Sequence, residues 1–184
     1  MIPVIKPAGS FLLFFCLLTG LLQNKTHAQD PWSPAYENLL DGRWTVRKST
    51  QVNAVLFSDA GAWHAYSLPG EARYQGGFTG PLVMDMQGEW LSNSIAQLLL
   101  EENGKLLQPD STRTRLLYRP GLMEQWLYYP NWELHLQLAF ANDRQSVTLA
   151  QVKNTGSSAR TLRLHWQGEL LDQKSRLAPR RSGI

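Results

Sequence analysis

Residues 132–140 read Trp132-Glu133-Leu134-His135-Leu136-Gln137-Leu138-Ala139-Phe140. Leu134, Leu136, Leu138 and Phe140 fall on one side of a two-residue repeat, and Glu133, His135 and Gln137 on the other. Successive side chains of a strand point to opposite faces, so this alternation predicts a half-buried antiparallel strand. The same period extends outward. Asn142-Asp143 turns the chain into a strand over 146–153, and residues 154–158 turn it into another over 159–168. In the last, Leu162, Leu164 and Trp166 face one way, and Arg163, His165 and Gln167 the other. Upstream, strands over 112–118 and 122–129 flank Arg119-Pro120-Gly121, and strands over 95–100 and 105–108 flank a turn containing Asn103-Gly104, a strong hairpin signal. Helix formers over 89–102 compete with that hairpin, but the Asn-Gly turn favours strands. Short strands with polar turns about every ten residues predict an all-β antiparallel sandwich or barrel. The 9–11-residue strands of a transmembrane barrel are longer than several of these.

Before the hairpins the pattern breaks. Residues 36–42 offer one helical turn ended by Gly42, residues 44–48 alternate as a strand, and residues 82–86 form a buried strand ended by Gly88. Between them, residues 57–81 hold five glycines, two prolines and the aromatics Trp63, Tyr66, Tyr74 and Phe78, with no clean period. Glycine and proline shape backbone directly, and long aperiodic segments in compact domains are commonly functional or disordered. The aromatics argue against disorder. A shaped loop forming the working surface is expected here.

Residues 1–28 read as a secretory signal peptide, with Lys6, an apolar run over 11–22 and a small-residue cleavage edge at Ala28. The apolar run has 12 residues, short of the about 20 that span a bilayer. Lys6 and Lys25 leave with the leader, so 18 basic residues become 16 against 15 acidic, a net charge of +1. Nucleic acid is therefore not implied as a partner, nor is a membrane once the leader is cleaved. Cys16, the only cysteine, also leaves, so the exported chain forms no intramolecular disulfide, which suits a periplasm or extracellular space. Residues 172–184 read as a basic, turn-rich tail, and the sandwich looks unfinished before it. Either that tail is a flexible terminus or the reading frame is truncated.

The residues supply little chemistry. His64, His135 and His165 are widely separated, giving no metal signature, and the last two read as solvated on polar strand faces. No phosphate-cradling loop or G-x-S-x-G elbow is present, and no cofactor is expected. Asp59, Glu71, Asp85, Glu89, Glu124 and Glu169 are the carboxylates near loops or strand ends, but no spacing pairs two of them as glycoside hydrolysis requires. Asp59 before Ala60-Gly61 reads as a turn cap. Trp63-His64 could present an indole to a sugar ring and an imidazole to a hydroxyl. Equally, Trp63 and Phe78 could plug the sandwich, or the loop could dock another domain.

Residues 57–69 (FSDAGAWHAYSLP), then Gly76-Gly77-Phe78-Thr79-Gly80-Pro81, then residues 164–172 (LHWQGELLD) resemble the N-terminal β-domain of bacterial glycoside hydrolase family 63, the family of processing α-glucosidase I. The matching positions are Phe57, Asp59, Gly61, Ala62, Trp63 and His64; Gly76, Gly77, Phe78 and Gly80; and Trp166, Gly168, Glu169, Leu170 and Leu171. The resemblance implies a β-sandwich over residues 29–171 packed against an (α/α)6 barrel, whose two carboxylic residues hydrolyse α-glucosidic bonds with inversion. This chain stops before any such barrel, so no catalytic residue carries over to it. By the same resemblance, Asp59, Trp63, His64, Gly76, Gly77 and Phe78 would bind an α-glucosidic oligosaccharide or dock the barrel. A free-standing carbohydrate-binding module is the alternative.

Overall fold

The alternation at residues 132–140 becomes strand β9 (Trp132–Asn142), as expected. In the computed structural model, which describes residues 37–52, 54–84 and 87–171, β9 is an inner strand of one of two four-stranded sheets. It pairs antiparallel with β8 (Leu122–Tyr129) on one side and β10 (Gln145–Asn154) on the other, and β7 (Arg115–Arg119) completes the order β10-β9-β8-β7. The proposed leader and tail lie outside the described residues. Among the described residues, no helix is long and apolar enough to cross a membrane.

The Asn-Gly signal also holds. β5 (Ser94–Glu102) turns at Asn103 (φ 52°) and Gly104 (φ 76°) into β6 (Lys105–Leu106). Both turn residues take the left-handed angles that a two-residue hairpin matching strand twist demands. The competing helix does not form, because Glu89–Trp90 makes a short strand, β4, instead. β11 (Arg163–Glu169) pairs with β5 rather than with its sequence neighbour β10, giving a second sheet, β11-β5-β6.

The third sheet corrects three expectations. Residues 57–81 are not one loop: they hold β2 (His64–Pro69), a 3-10 turn at Ala72–Tyr74 and the start of β3 (Thr79–Val83). β2 escaped the two-residue period because both its faces are buried, Tyr66 and Leu68 in one apolar cluster and Ala65 in another. The strand expected at 82–86 begins earlier, in β3, and Asp85 and Met86 lie outside the described residues. The strand expected at 44–48 shrinks to β1 (Arg43–Trp44), which runs parallel to β2. Alternation fails at Val46 because its N–H donates to the Asn93 side chain (2.7 Å) and its carbonyl accepts from the same amide (3.1 Å). Residues 37–40 form turns and a bend instead of a helical turn.

Side chains from all three sheets meet in one interior. Leu68 of β2, Leu98 and Leu100 of β5, Met123 and Leu127 of β8, and Leu134, Leu136 and Leu138 of β9 are each at most 2% exposed. Burying each of these stabilises the fold by about 1.5–3 kcal/mol. The fold is all-β with antiparallel sheets in a sandwich-like arrangement. A smaller cluster of Val46, Ala65, Leu82 and Trp90 fills the other side of the β1-β2-β3-β4 sheet, where the Trp90 indole donates to the Gln51 carbonyl (2.6 Å).

Candidate functional site

Asp59 sits on a turn, as its neighbours suggested. Its carboxylate accepts from the Ala60 N–H (2.6 Å), its carbonyl accepts from Ala62 (3.0 Å), and Ala60 and Gly61 both have positive φ. The turn delivers Trp63 to the surface. The Trp63 backbone is anchored by the Asp143 carbonyl (3.3 Å) and the Met84 N–H (2.8 Å), while its side chain leaves the residue 72% exposed. Beside it, His64 is half-buried, its ring 5.0 Å from that of Phe140 and 5.8 Å from that of Tyr66. Burial pushes the Tyr66 phenol upward, and its hydrogen bond with the Ser146 hydroxyl (2.8 Å) opposes that shift. Asp59, Trp63 and His64 thus share one stretch of surface with an indole as its most accessible part.

Gly76, Gly77 and Phe78 have different surroundings. Phe78 is 4% exposed in the apolar interior. Residues 73–77 lie outside the sheets, so their backbone groups need other partners, and two buried glutamines provide them. Gln125 accepts from the Gly76 N–H (3.1 Å) and donates to the Gly77 carbonyl (2.6 Å). Gln97 donates to the carbonyls of Arg73 and Gln75, both at 2.7 Å. Here glycine answers to space: a β-carbon would stand 2.6 Å from the Leu98 carbonyl oxygen at Gly76, and 2.0 Å from Ser94 Oγ at Gly77. Sequence reading passed over both glutamines, although Gln97 is a polar residue between apolar neighbours at a strand position.

The Trp166–Leu171 stretch reaches the same strand from its other side. β11 is irregular between Gln167 and Glu169, and a β-carbon on Gly168 would stand 2.0 Å from the Ile95 carbonyl oxygen. Ser92 Oγ donates to the Glu169 carbonyl (2.6 Å), and the Leu171 N–H donates to that of Leu91 (2.9 Å). Two glycine-bearing segments far apart in sequence are therefore pressed against the beginning of β5.

Several of the acidic residues have local partners. Glu71 accepts from Arg73 (3.0 Å). Glu124, 6% exposed on β8, accepts from Gln137 (2.8 Å) and lies 3.6 Å from Arg119 Nε and 3.4 Å from His135 Nε2. His135 is not solvated: it is 9% exposed, because its cross-strand neighbour Trp126 stacks on it at 3.7 Å with 13° between the rings. His165 is partly buried and bonded to Glu101 (2.8 Å). Among the described residues, no group of three histidine, cysteine or acidic side chains could hold a metal ion. Compared with known families, residues 44–181 match the model described as "Glucosidase YgjK, N-terminal".

Proposed function

The chain belongs to the glucosidase YgjK N-terminal family, of the glycoside hydrolase family 63 type, and from that membership we propose that it is the non-catalytic β-domain of an exported α-glucosidase. Its role is to brace an (α/α)6 catalytic barrel carried outside this chain and to shape the sugar-binding mouth beside it. The family match carries the reading. The 72% exposed Trp63 supports the second half of it, since an indole free to solvent on a turn offers a flat apolar face to a sugar or to a docking domain. Signal-directed export of the chain, with cleavage near Ala28, belongs to the same proposal, as does its being a fragment of a longer enzyme.

Bracing is tested by mixing the chain with a separately produced (α/α)6 domain of a family 63 glucosidase. Co-elution in gel filtration and a raised melting temperature of the helical domain are expected, with weaker co-elution for Trp63→Ala. Independent elution and an unchanged melting temperature would overturn the bracing role.

A further inference from the structure

The two segments pressed against β5 leave a cavity of about 440 Å³ between them, lined by Arg73 and Tyr74 on one side and by Gln167, Glu169, Leu170 and Leu171 on the other. The volume falls within the about 300–1,000 Å³ of small-molecule sites. Its lining combines two kinds of surface. Leu170, Leu171 and the Tyr74 ring offer apolar contact, and the Arg73 guanidinium lies over that ring, 4.7 Å from its centre. An amide, a carboxylate and a guanidinium supply polar groups around them.

The polar groups are held in place from behind. Gln167 Nε2 donates to Gln97 Oε1 (2.9 Å), and Gln97 in turn grips the backbone of the facing segment. Arg73 is oriented by its ion pair with Glu71 (3.0 Å). Ser94 also lines the cavity. It is 5% exposed, and its hydroxyl has no hydrogen-bond partner among the described residues.

Charge narrows the ligand class. One guanidinium, already paired, faces one carboxylate, so the cavity favours neither an anion nor a cation. A neutral ring with hydroxyls on its rim and C–H groups on its faces fits an amide, a carboxylate and apolar walls together. We propose that this cavity is a subsite for one hexopyranosyl unit of an α-glucosidic oligosaccharide, separate from Trp63. The assignment rests on the glucosidase reading above. Glu169 accepts ligand hydroxyls, the Gln167 amide fixes their orientation, and Leu170 and Tyr74 contact the ring.

The test titrates the full 184-residue chain with maltose, followed by ligand-observed NMR, with sorbitol as an open-chain control. Saturable maltose binding is expected, weakened about ten-fold by Glu169→Ala, the loss of one hydrogen bond to a charged group. Gln167→Ala should weaken it comparably, and Leu149→Ala, at an exposed position of β10 outside the cavity lining, should leave it unchanged. Thermal melts check that each variant folds, and Glu169→Gln, which keeps the shape and removes the charge, gives a second measure with an intermediate loss. Binding that survives Glu169→Ala and Gln167→Ala but vanishes with Trp63→Ala sinks this subsite and leaves the Trp63 mouth standing. No saturable binding, or equal response to sorbitol, also overturns the subsite. The bracing role is judged separately by co-elution with the helical domain.

Discussion

At Gly168 the backbone of β11 passes so close to β5 that a β-carbon would overlap a fixed carbonyl oxygen, that of Ile95 at 2.0 Å. At Gly77 the overlap is equally short, but its partner is Ser94 Oγ, a rotatable hydroxyl that forfeits no hydrogen bond by turning away. The next atoms at Gly77 are 3.0 Å away or more. Gly168→Ala is therefore expected to destabilise the fold by about 1–3 kcal/mol, the usual cost of overpacking, and Gly77→Ala by less. Urea midpoints of the two variants decide it, and equal losses would contradict the distinction. Tyr129 supplies a second residue-level prediction. Burial, at 7% exposure, pushes its phenol up to about 12, from the ordinary value near 10. Between those values the unfolded chain has lost the proton and the folded chain keeps it, so stability is intact below about pH 10 and falls as pH rises toward about 12. At about 1.4 kcal/mol per pH unit, the loss across the window is of order 2–3 kcal/mol. Tyr129→Phe should flatten the decline measured by denaturant melts at pH 9, 10 and 11, and an undiminished slope would assign it to other groups.

Elements with local causes were legible from sequence. β9 announces itself by alternation, the β5–β6 turn by Asn103-Gly104, and the β7–β8 turn by Gly121, whose φ is 78°. Elements with distant causes were not. β2 carries no period because two apolar clusters bury it on both faces. The pairing of β11 with β5 joins residues more than sixty positions apart, and no nearby residue signals it. Leu164 and Trp166 illustrate the gap: they share the face of Leu100 and Leu98 across that pairing, as alternation predicts, yet remain 48% and 56% exposed on an edge strand. The candidate surface was legible at Asp59, Trp63 and His64. At Gly76 and Gly77 the sequence showed two glycines but not the glutamine behind them. Gln125, 0% exposed, satisfies the Gly76 N–H and the Gly77 carbonyl through one side chain. Gln125→Met keeps length and removes both hydrogen bonds, stranding two buried backbone groups, which costs about 1–3 kcal/mol each. A drop of several kcal/mol in stability is expected, with Gln125→Glu also impaired because a carboxylate cannot donate to the Gly77 carbonyl. A Gln125→Met protein as stable as the parent would show that these groups find other partners.

For the whole molecule the deciding question is whether the chain can cleave the sugars it is proposed to meet. Glycoside hydrolysis uses two carboxyl groups flanking the bond, one protonated to release the leaving group and one ionised opposite it. A general acid of this kind needs surroundings that favour its neutral form, and it must reach substrate. Among the described carboxylates named in the sequence reading Glu124 is the most buried, yet its oxygens are taken up inside the sheet: it accepts from Gln137 and faces the Arg119 guanidinium and the His135 ring. Glu101 is likewise engaged by Arg163 (3.0 Å) and His165 (2.8 Å), and Glu71 by Arg73. Glu124 and Glu101 are committed to cross-strand contacts and Glu71 to the turn after β2, as the non-catalytic role proposed above requires. The purified chain is therefore expected to release glucose from maltose no faster than buffer does, at any protein concentration. Glu124→Gln should lower stability, because Arg119 and His135 lose a charged partner, without changing that background rate. Turnover proportional to protein concentration and abolished by Glu124→Gln would make Glu124 a catalytic residue, and the non-catalytic reading of this chain would have to be abandoned.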